Sequence, residues 1–411
     1  MNVLIINTSD INGGAAIAAY RLLNALKHSG VNVKMMVREK LSNDNDVLNI
    51  GNNLINKFNF YHERGEIFIY NGLSRENLFE VSTAKKGVSI IDTEEFKQAD
   101  VIHIHWINQG MLSLNEVKKI LSSEKKVVWT MHDMWPFTGI CHYAGDCDFY
   151  THGCGNCPLL RHPSKYDLSR TTYRKKTATY SKGEINFVAC SNWLKEMAIK
   201  SPLTLGHHVT SIPNPIDTGV YRPLNKNEIR LKLDLPTDKK IILFAAVKAS
   251  DKRKGMDYLI EASSLLKNHS KNILFLIAGN RSEEIENKIT LPVKSMGYVS
   301  PKDMPSLYNA ADLFVSPSLQ DNLPNTIMES MSCGTPCIGF NTGGIPQMID
   351  HQINGYISEY RNSKDLANGI LWSLFETNTN LGLNARKKVI ENYSNEIIAK
   401  QYIEIYKNAR G

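Results

Sequence analysis

The chain has 411 residues, 42% of them hydrophobic and 22% charged, and its formal net charge is +7. This length predicts about two domains, each large enough to bury a core. No apolar run reaches the roughly 18 residues that span a bilayer, and the mild positive charge permits attraction to phosphates or anionic lipids without identifying either.

The N-terminus predicts a buried strand and not a secretion signal. It has no basic segment, and its short apolar run stops at Asn7, so we expect a cytoplasmic protein. In that reducing compartment, seven cysteines, an odd number, argue against a disulfide framework.

The first half of the chain alternates predicted strands and helices. The loop Gly13–Gly14 and a helix-like segment at 15–30 join the first two strands into one βαβ unit. The strand candidates are short β-branched runs at 3–7, 33–37, 101–105, 127–131 and 186–191. This alternation indicates a parallel sheet covered by helices on both faces.

A change of composition predicts a linker near residue 215. The segment 211–224 contains three prolines, an Asn-Pro pair and a glycine. A second alternating series follows it, with strand candidates at 241–247, 273–279, 293–299, 313–318 and 336–340. The last segment, 395–409, is amphipathic and helical. We therefore expect two α/β domains in tandem.

Parallel sheets bind ligands at the carboxyl ends of their strands, so candidate sites are sought in the loops there. After the first strand, Gly13 and Gly14 open a helix whose amides favour an anion, although a structural turn explains a glycine pair equally well. In the second domain, Lys252, Arg253 and Lys254 follow a strand and are suited to a diphosphate. A solvated run of surface charge is the alternative there.

The segment 316–340 is the most specific of these candidates. Asp321 lies on a loop before a predicted helix, and Glu329 lies eight residues later, inside that helix. At the helix entrance, backbone amides favour phosphate oxygens. Helix capping by Asp321 and a solvent-facing Glu329 are the alternatives. The polar residues at the entrance are Asn322, Asn325 and Thr326.

Taken together, these motifs resemble the group-1 (family 4) retaining glycosyltransferases of the GT-B fold. The acid pair is followed by SMSCGTPCIGF and NTGGIPQMI, and two further matching stretches are IPNPIDTGVY and MGYVSPKDMPSLYNAADLFVSPS. The resemblance covers essentially the whole chain, including Gly13–Gly14 and His132–Asp133. It implies two Rossmann-like domains, 1–212 and 213–389, facing across a cleft, with a C-terminal helix in 390–411 crossing back to the first.

The resemblance also implies a reaction and a set of contacts. A sugar would move from a UDP- or GDP-linked donor to a hydroxyl of a saccharide or lipid-linked saccharide, without a catalytic metal, in bacterial surface polysaccharide assembly. Glu329 would bind sugar or ribose hydroxyls, Asp321 would lie near the transferred sugar, and His132 would reach its ring or 6-hydroxyl. Gly14 would lie against the diphosphate or the acceptor. The remaining implied contacts are Arg253 and Lys254 at the diphosphate, and Gly297, Tyr298 and Val299 at the base.

Two positions depart from the family pattern. Asp321 stands where the family usually has Glu, and Ala249 stands where it usually has a phosphate-binding Arg. Lys248 or Arg253 would have to replace that Arg, and we favour Arg253.

Four of the cysteines lie in one loop, at Cys141, Cys147, Cys154 and Cys157. Its CGNC end resembles a zinc knuckle, and four thiolates would make a closed structural zinc site with no open position for substrate. Reduced thiols, an iron–sulfur cluster and disulfides are the alternatives. The nearby His142 and His152 are further candidate ligands.

A basic, tyrosine-containing segment at 170–182 predicts a helix. Its charged face is either solvated or makes a peripheral contact with the inner membrane, beside a lipid-linked acceptor. The alternative functions are a nucleotide-sugar epimerase, hydrolase or phosphorylase and a zinc-stabilised nucleic-acid binder. The modest net charge and the lack of a recognition helix disfavour the nucleic-acid binder. The basic residues are Arg170, Arg174, Lys175, Lys176 and Lys182.

Overall fold

The computed structural model describes residues 1–248 and 251–409, and the chain divides into two compact units. Unit 1 comprises Met1–Pro215 and Ile398–Gly411, and unit 2 comprises Ile216–Ile397. The sequence-based boundaries were 212 and 390, so both changes of unit fall a few residues further along the chain than expected. Ala249, where the missing Arg was noted, lies outside the described residues.

Unit 1 is built on a parallel sheet. Its strands are β1 (Asn2–Ser9), β2 (Asn32–Glu39), β3 (Val47–Asn49), β4 (Val101–Ile104), β5 (Lys126–Met131), β6 (Asn186–Ala189) and β7 (His208–Ser211). Within the described part of the chain, the strand order is β3-β2-β1-β4-β5-β6-β7. The order reverses between β1 and β4, and a reversal of this kind opens a ligand-binding crevice at the carboxyl ends of the strands.

Helices cover both faces of this sheet, which explains the continuous apolar runs of its strands. In β1, Val3 and Ile5 enter one buried cluster, and Leu4 and Ile6 enter the cluster on the opposite face. The helices before the linker are α1 (Gly14–His28), α2 (Asn53–Tyr70), α3 (Glu94–Gln98), α4 (Leu114–Leu121), α5 (Leu168–Tyr180) and α6 (Asn192–Ala198).

Unit 2 repeats the same plan. Its strands are β8 (Lys240–Lys248), β9 (Ile273–Asn280), β10 (Val293–Gly297), β11 (Leu313–Ser316), β12 (Cys337–Phe340) and β13 (Gly355–Ser358). They pair in parallel in the order β10-β9-β8-β11-β12-β13. The helices are α7 (Lys226–Lys232), α8 (Met256–Leu265), α9 (Glu283–Glu286), α10 (Met304–Ala310), α11 (Asn325–Ser332), α12 (Ile345–Met348), α13 (Ser363–Leu371) and α14 (Leu381–Tyr393).

The last helix, α15 (Asn395–Asn408), joins the core of unit 1. Its buried residues Ile398 and Ala399 pack in the same cluster as the strands of the first sheet. The Tyr406 hydroxyl lies 2.7 Å from His103 Nδ1 on β4, and the Tyr402 hydroxyl lies 2.8 Å from Thr130 Oγ1 on β5. The predicted return of the C-terminal helix is confirmed.

The predicted strands are all present, and both sheets are parallel as expected. The sequence analysis missed β3, β7 and β13, which are short edge or near-edge strands of three or four residues. No helix within the described residues combines the length and the apolarity that crossing a membrane requires.

Candidate functional site

The predicted diphosphate and sugar residues of unit 2 gather at the carboxyl ends of β8 and β11. These strands are neighbours in the parallel sheet, so the loops that leave them meet. After β8, a 3₁₀ turn covers Lys252–Lys254 and ends at Gly255, which has φ 72°. A Cβ atom at Gly255 would lie 1.8 Å from the Pro317 carbonyl oxygen, so only glycine permits this approach of the two loops.

Within this pair of loops, Lys254 forms an ion pair with Asp321. The Lys254 Nζ lies 2.5 Å from Asp321 Oδ2, and 23% of the lysine side chain is exposed. Arg253 is on the same side: its Nη1 donates to the Gln320 carbonyl at 2.9 Å and lies 3.7 Å from Asp321 Oδ2. Two cations thus flank one buried carboxylate, and both retain surface that a ligand can reach.

Electrostatics keep the Asp321 carboxyl ionised. Burial alone would raise its pKa, but the Lys254 and Arg253 charges, together with hydrogen bonds, lower that pKa below its ordinary value of 3.8. The backbone beneath is equally close packed, because a Cβ at Gly343 would lie 1.9 Å from the Asp321 carbonyl oxygen. Asp321 is therefore a fixed negative charge between two cations.

Glu329 lies inside α11, as predicted, and the alternative of a solvent-facing side chain is wrong. It is 6% exposed, and its Oε2 accepts a hydrogen bond of 2.7 Å from the Tyr308 hydroxyl on α10. Asn322 is buried on the loop before the helix, whereas Asn325 and Thr326, at its first turn, are half-buried. The helix entrance carries no side-chain cap.

The positions implied at the base follow a different strand. Gly297 ends β10 at φ 59°, and the following Tyr298 is 66% exposed. Val299 is half-buried. The strand β9 lies between β10 and β8 in the sheet, so these residues stand along the same edge, apart from the Lys254–Asp321 pair. Of the two candidate replacements for the missing Arg, Lys248 is exposed at the end of β8, and Arg253 touches the Asp321 loop.

In unit 1, the glycine pair and His132 follow the ends of β1 and β5. Gly13, at φ 97°, precedes the first residue of α1, Gly14, and both are exposed. His132 is held by other side chains. Its Nε2 lies 2.9 Å from His105 Nδ1, and its Nδ1 lies 3.6 Å from Cys190 Sγ.

Burial keeps the imidazoles of this network neutral. It lowers the pKa of His132 to about 4, although Asp133 opposes the shift, and that of His103 to about 3, with a smaller contribution from His132. The pKa of His105 is also held well below its ordinary value by burial and by the two other histidines. A neutral His132 can donate or accept a hydrogen bond but is no cationic partner for a phosphate.

Asp133 connects His132 to the cysteine loop. Its Oδ2 accepts from Trp106 Nε1 at 2.8 Å and lies 2.7 Å from His142 Nδ1, while its Oδ1 accepts from the Trp135 amide at 2.9 Å. Burial would raise the pKa of Asp133, but His142 and these hydrogen bonds lower it. His142 is thus a partner of this carboxylate. The other suggested ligand, His152, bonds the Thr151 hydroxyl.

The four loop cysteines are free thiols that line one small cavity. Burial raises the pKa of Cys141, Cys154 and Cys157 to about 12, so these thiols are not poised as nucleophiles. Within the residues that the structure describes, no three His, Cys, Asp or Glu side chains already stand in a metal-binding arrangement. The zinc assignment stays a prediction at this point.

The helix predicted in the basic segment 170–182 is present as α5, but the prediction of one charged face is wrong. Lys176 is fully buried, and Tyr173 and Tyr180 are core residues. Arg174 and Lys175 are exposed. Because the Lys176 side chain turns inward to backbone carbonyl oxygens, the helix lacks the continuous basic surface that the sequence suggested.

Other residues of the site were missed in the sequence. Tyr308 lies in the stretch SLYNAADLF and bonds Glu329 from a neighbouring helix, and His105 and Cys190 flank His132 from two other strands. The sequence carried one weak signal of the histidine network. His103 and His105 alternate at the end of a predicted buried strand, where polar residues are uncommon.

Two family models match the chain. The one described as Glycosyltransferase Family 4 matches residues 12–220, and the one described as Glycosyl transferases group 1 matches residues 239–375. An uncharacterized glycosyltransferase of Methanocaldococcus jannaschii is 26% identical over 339 residues, which is 76% of this chain and 84% of that protein. The UDP-Gal:alpha-D-GlcNAc-diphosphoundecaprenol alpha-1,3-galactosyltransferase of Escherichia coli is 23% identical over 303 residues, 70% of this chain and 76% of that one.

Solved structures show the same architecture. Sucrose-phosphate synthase from Thermosynechococcus elongatus superposes with a TM-score of 0.70 at 18% identity, covering 99% of this chain and 98% of that one. An Anabaena protein in complex with UDP and glucose gives a TM-score of 0.65 at 15% identity, covering 99% and 100%. At such identities the likeness establishes the fold alone, and that fold is the expected GT-B class of two Rossmann-like domains.

Proposed function

Because the chain belongs to glycosyltransferase family 4, we propose that it moves a sugar from a nucleoside diphosphate sugar to a hydroxyl of a saccharide or lipid-linked saccharide, with retention at the anomeric carbon. The observation that carries the donor side of this proposal is the Lys254–Asp321 pair with Arg253 beside it. It joins two cations to a helix entrance, and this combination suits a diphosphate.

Charge builds on the diphosphate as its bond to the sugar breaks, and fixed cations stabilise that charge. Lys254 has three N–H donors and gives one to Asp321, so two can meet phosphate oxygens. Arg253 presents a planar fork suited to two oxygens. The amides near Asn322, Asn325 and Thr326 add the positive end of α11.

At the sugar, the anomeric bond to the diphosphate breaks, and the acceptor oxygen bonds to the same face of that carbon. The acceptor hydroxyl proton passes to the departing phosphate oxygen. In this proposal Asp321, ionised and close to the cations, stabilises positive charge on the sugar ring, and Glu329 orients hydroxyls of the donor. His132 would reach the ring or the 6-hydroxyl of the sugar, Gly14 would lie against the diphosphate or the acceptor, and Gly13 shapes the turn that presents Gly14. Gly297, Tyr298 and Val299 receive the base.

The setting we propose is the cytoplasmic face of a bacterial membrane. The Escherichia coli relative is named for an acceptor linked to diphosphoundecaprenol, a lipid carrier. Binding of the pure protein to vesicles of anionic lipid, weakened by salt, would support a peripheral contact. Its absence would leave a water-soluble saccharide as the acceptor.

The test combines donor binding with turnover. A thermal-shift screen of UDP- and GDP-linked sugars should identify one donor, and release of nucleoside diphosphate should require an acceptor. Release without any acceptor would favour the hydrolase alternative, and interconversion of free donor sugars would favour the epimerase. The anomeric configuration of the product, read by NMR, decides retention.

A matched pair of variants tests the site itself. Lys254→Ala should lower kcat/KM about 10²–10³-fold, the size of effect seen when one transition-state charge donor is lost. Lys252→Ala, an exposed lysine in the same 3₁₀ turn, should behave as wild type. Equal activity of the two variants would remove the assignment.

A further inference from the structure

The cysteine loop of unit 1 encloses a cavity of about 20 Å³ whose wall includes all four of its thiols. This site takes no part in the proposed transfer reaction, and its identification does not rest on that proposal. The remaining wall residues are Ile140, Ala144, Phe149, Tyr150, Gly155 and Ser169.

The cavity suits a single soft cation better than a water molecule. The volume is enough for one water molecule or one metal ion. A buried water, however, needs two to four polar partners. The Ser169 hydroxyl already donates to Asp167 at 2.6 Å and accepts from the Gly155 amide at 3.0 Å. The wall therefore offers mainly sulfur and apolar surface, and four sulfur ligands select zinc or iron.

A backbone amide points at one of the sulfur atoms: the Gly139 N–H donates to Cys154 Sγ at 3.2 Å. The Cys157 amide is itself fixed by the Asp167 carboxylate at 2.7 Å. Donors aimed at sulfur stabilise a thiolate more than a thiol, because a charged acceptor makes the stronger hydrogen bond.

A buried cation stands beside the same thiols. The Lys176 side chain is fully buried, its Nζ donates to the carbonyl oxygens of Trp135 and Thr138, and it lies 3.4 Å from the centroid of the Trp135 ring. The Thr138 hydroxyl in turn donates to the Cys141 carbonyl at 2.7 Å, and the adjoining Gly139 amide is the one that donates to Cys154 Sγ. A thiolate centre at this place would give the Lys176 ammonium the counter-charge that a buried cation requires.

We propose that Cys141, Cys147, Cys154 and Cys157 bind one Zn²⁺ in a closed structural site and that Lys176 is the buried counter-charge of the resulting anionic centre. On binding, the four sulfur atoms turn toward the cavity, four Zn–S bonds form, and the thiol protons pass to solvent. Within the described residues no three such side chains stand in a metal-binding arrangement, so the proposal requires the four cysteines to rearrange around the ion.

The zinc centre would lie close in sequence to the contacts of His132 and would hold them in place. Cys141 precedes His142, whose ring bonds Asp133, the neighbour of His132. The loop is otherwise rich in turns and short of regular structure, so a cross-link at its four cysteines fixes where the Asp133–His142 contact is made. The zinc centre is thus a positioning device for this edge of the first sheet.

The first measurement is the metal content of the full chain, which is purified under reducing conditions and analysed by inductively coupled plasma mass spectrometry. We expect close to one zinc per chain. Cobalt exchanged into the site should give the visible bands of tetrahedral Co²⁺ and the near-ultraviolet charge transfer of thiolate ligation. Cys147→Ser and Cys157→Ser should lose the metal, whereas Cys333→Ser, a buried cysteine of unit 2, should retain it.

If the cysteine variants fail to fold, the wild-type metal content and cobalt spectrum decide the question alone. Lys176→Met should keep the site but weaken its zinc affinity about ten- to hundredfold in competition with a chelator, as loss of an outer-shell partner does. Folded wild type that stays far below one equivalent after incubation with zinc would overturn the proposal. So would iron with acid-labile sulfide, or disulfides among these cysteines.

Discussion

Three imidazoles, two of them buried and one half-buried, should make unit 1 sensitive to mild acid. His103, His105 and His132 all have a pKa lowered from 6.5 by burial, to about 3 for His103 and about 4 for His132. Below pH 6.5 these histidines bind protons in the unfolded chain but stay neutral in the folded chain. Their contribution to the free energy of unfolding is therefore fully present above pH 6.5 and is lost as the pH falls.

The magnitude at pH 5 follows from the ordinary pKa alone, provided that the folded value lies below 5. For His103 and His132, with folded pKa values of about 3 and about 4, each imidazole then favours unfolding by about 1.4 kcal/mol per pH unit over about 1.5 units, or about 2 kcal/mol. Together they contribute about 4 kcal/mol, a large part of the stability of a typical domain, about 5–15 kcal/mol. The lowered pKa of His105 acts in the same direction. Asp133, with a pKa below 3.8, stays ionised at pH 5 in both states and adds little.

Tryptophan fluorescence during denaturant unfolding at pH 8 and pH 5 measures this loss. Of the five tryptophans, four lie in unit 1, so the signal reports mainly on that unit. They are Trp106, Trp129, Trp135 and Trp193.

The control is a pair of histidine substitutions. His103→Gln removes one buried ionisable group and should reduce the difference between pH 8 and pH 5 by about 2 kcal/mol, even though it lowers stability at both pH values. His28→Gln, at the exposed end of α1, should leave the difference unchanged. A wild-type protein equally stable at both pH values, or an unaltered difference in His103→Gln, would refute the reasoning.

Three further predictions address the other parts of the molecule. Asp321→Asn should lower turnover by at least tenfold, while nucleoside diphosphate affinity, measured by calorimetry, should hold or rise because Lys254 is released to the phosphates. Asp251→Asn is the matched control, and a loss of affinity in Asp321→Asn that parallels its loss of turnover would contradict the prediction. Tyr308→Phe removes the hydrogen bond to Glu329 and should destabilise unit 2 by about 1–3 kcal/mol in denaturant unfolding; an unchanged midpoint would show that the bond contributes nothing. Dialysis against a zinc chelator should lower the melting temperature of unit 1, and added zinc should restore it; melting that ignores both treatments would argue against a structural metal.

The architecture could be predicted because it depends on local patterns. Apolar runs such as 3–7 and 241–247 bury on both faces, and they recur with helical segments between them. Strands β3, β7 and β13 escaped prediction since three or four residues with mixed polarity carry too little signal to separate a strand from a loop.

The candidate site divides in the same way. Local sequence patterns predict which residue types follow each strand: Lys254 after β8, Asp321 after β11, His132 after β5. They do not predict the pairing of Lys254 with Asp321, 67 residues away, or of His103 with Tyr406, 303 residues away. Strand order brings such residues together, and strand order is a property of the whole sheet. For the same reason, Lys176 resembles a surface charge in the sequence yet is buried and bonds the carbonyl oxygens of Trp135 and Thr138: which face of α5 meets the core depends on what packs against it.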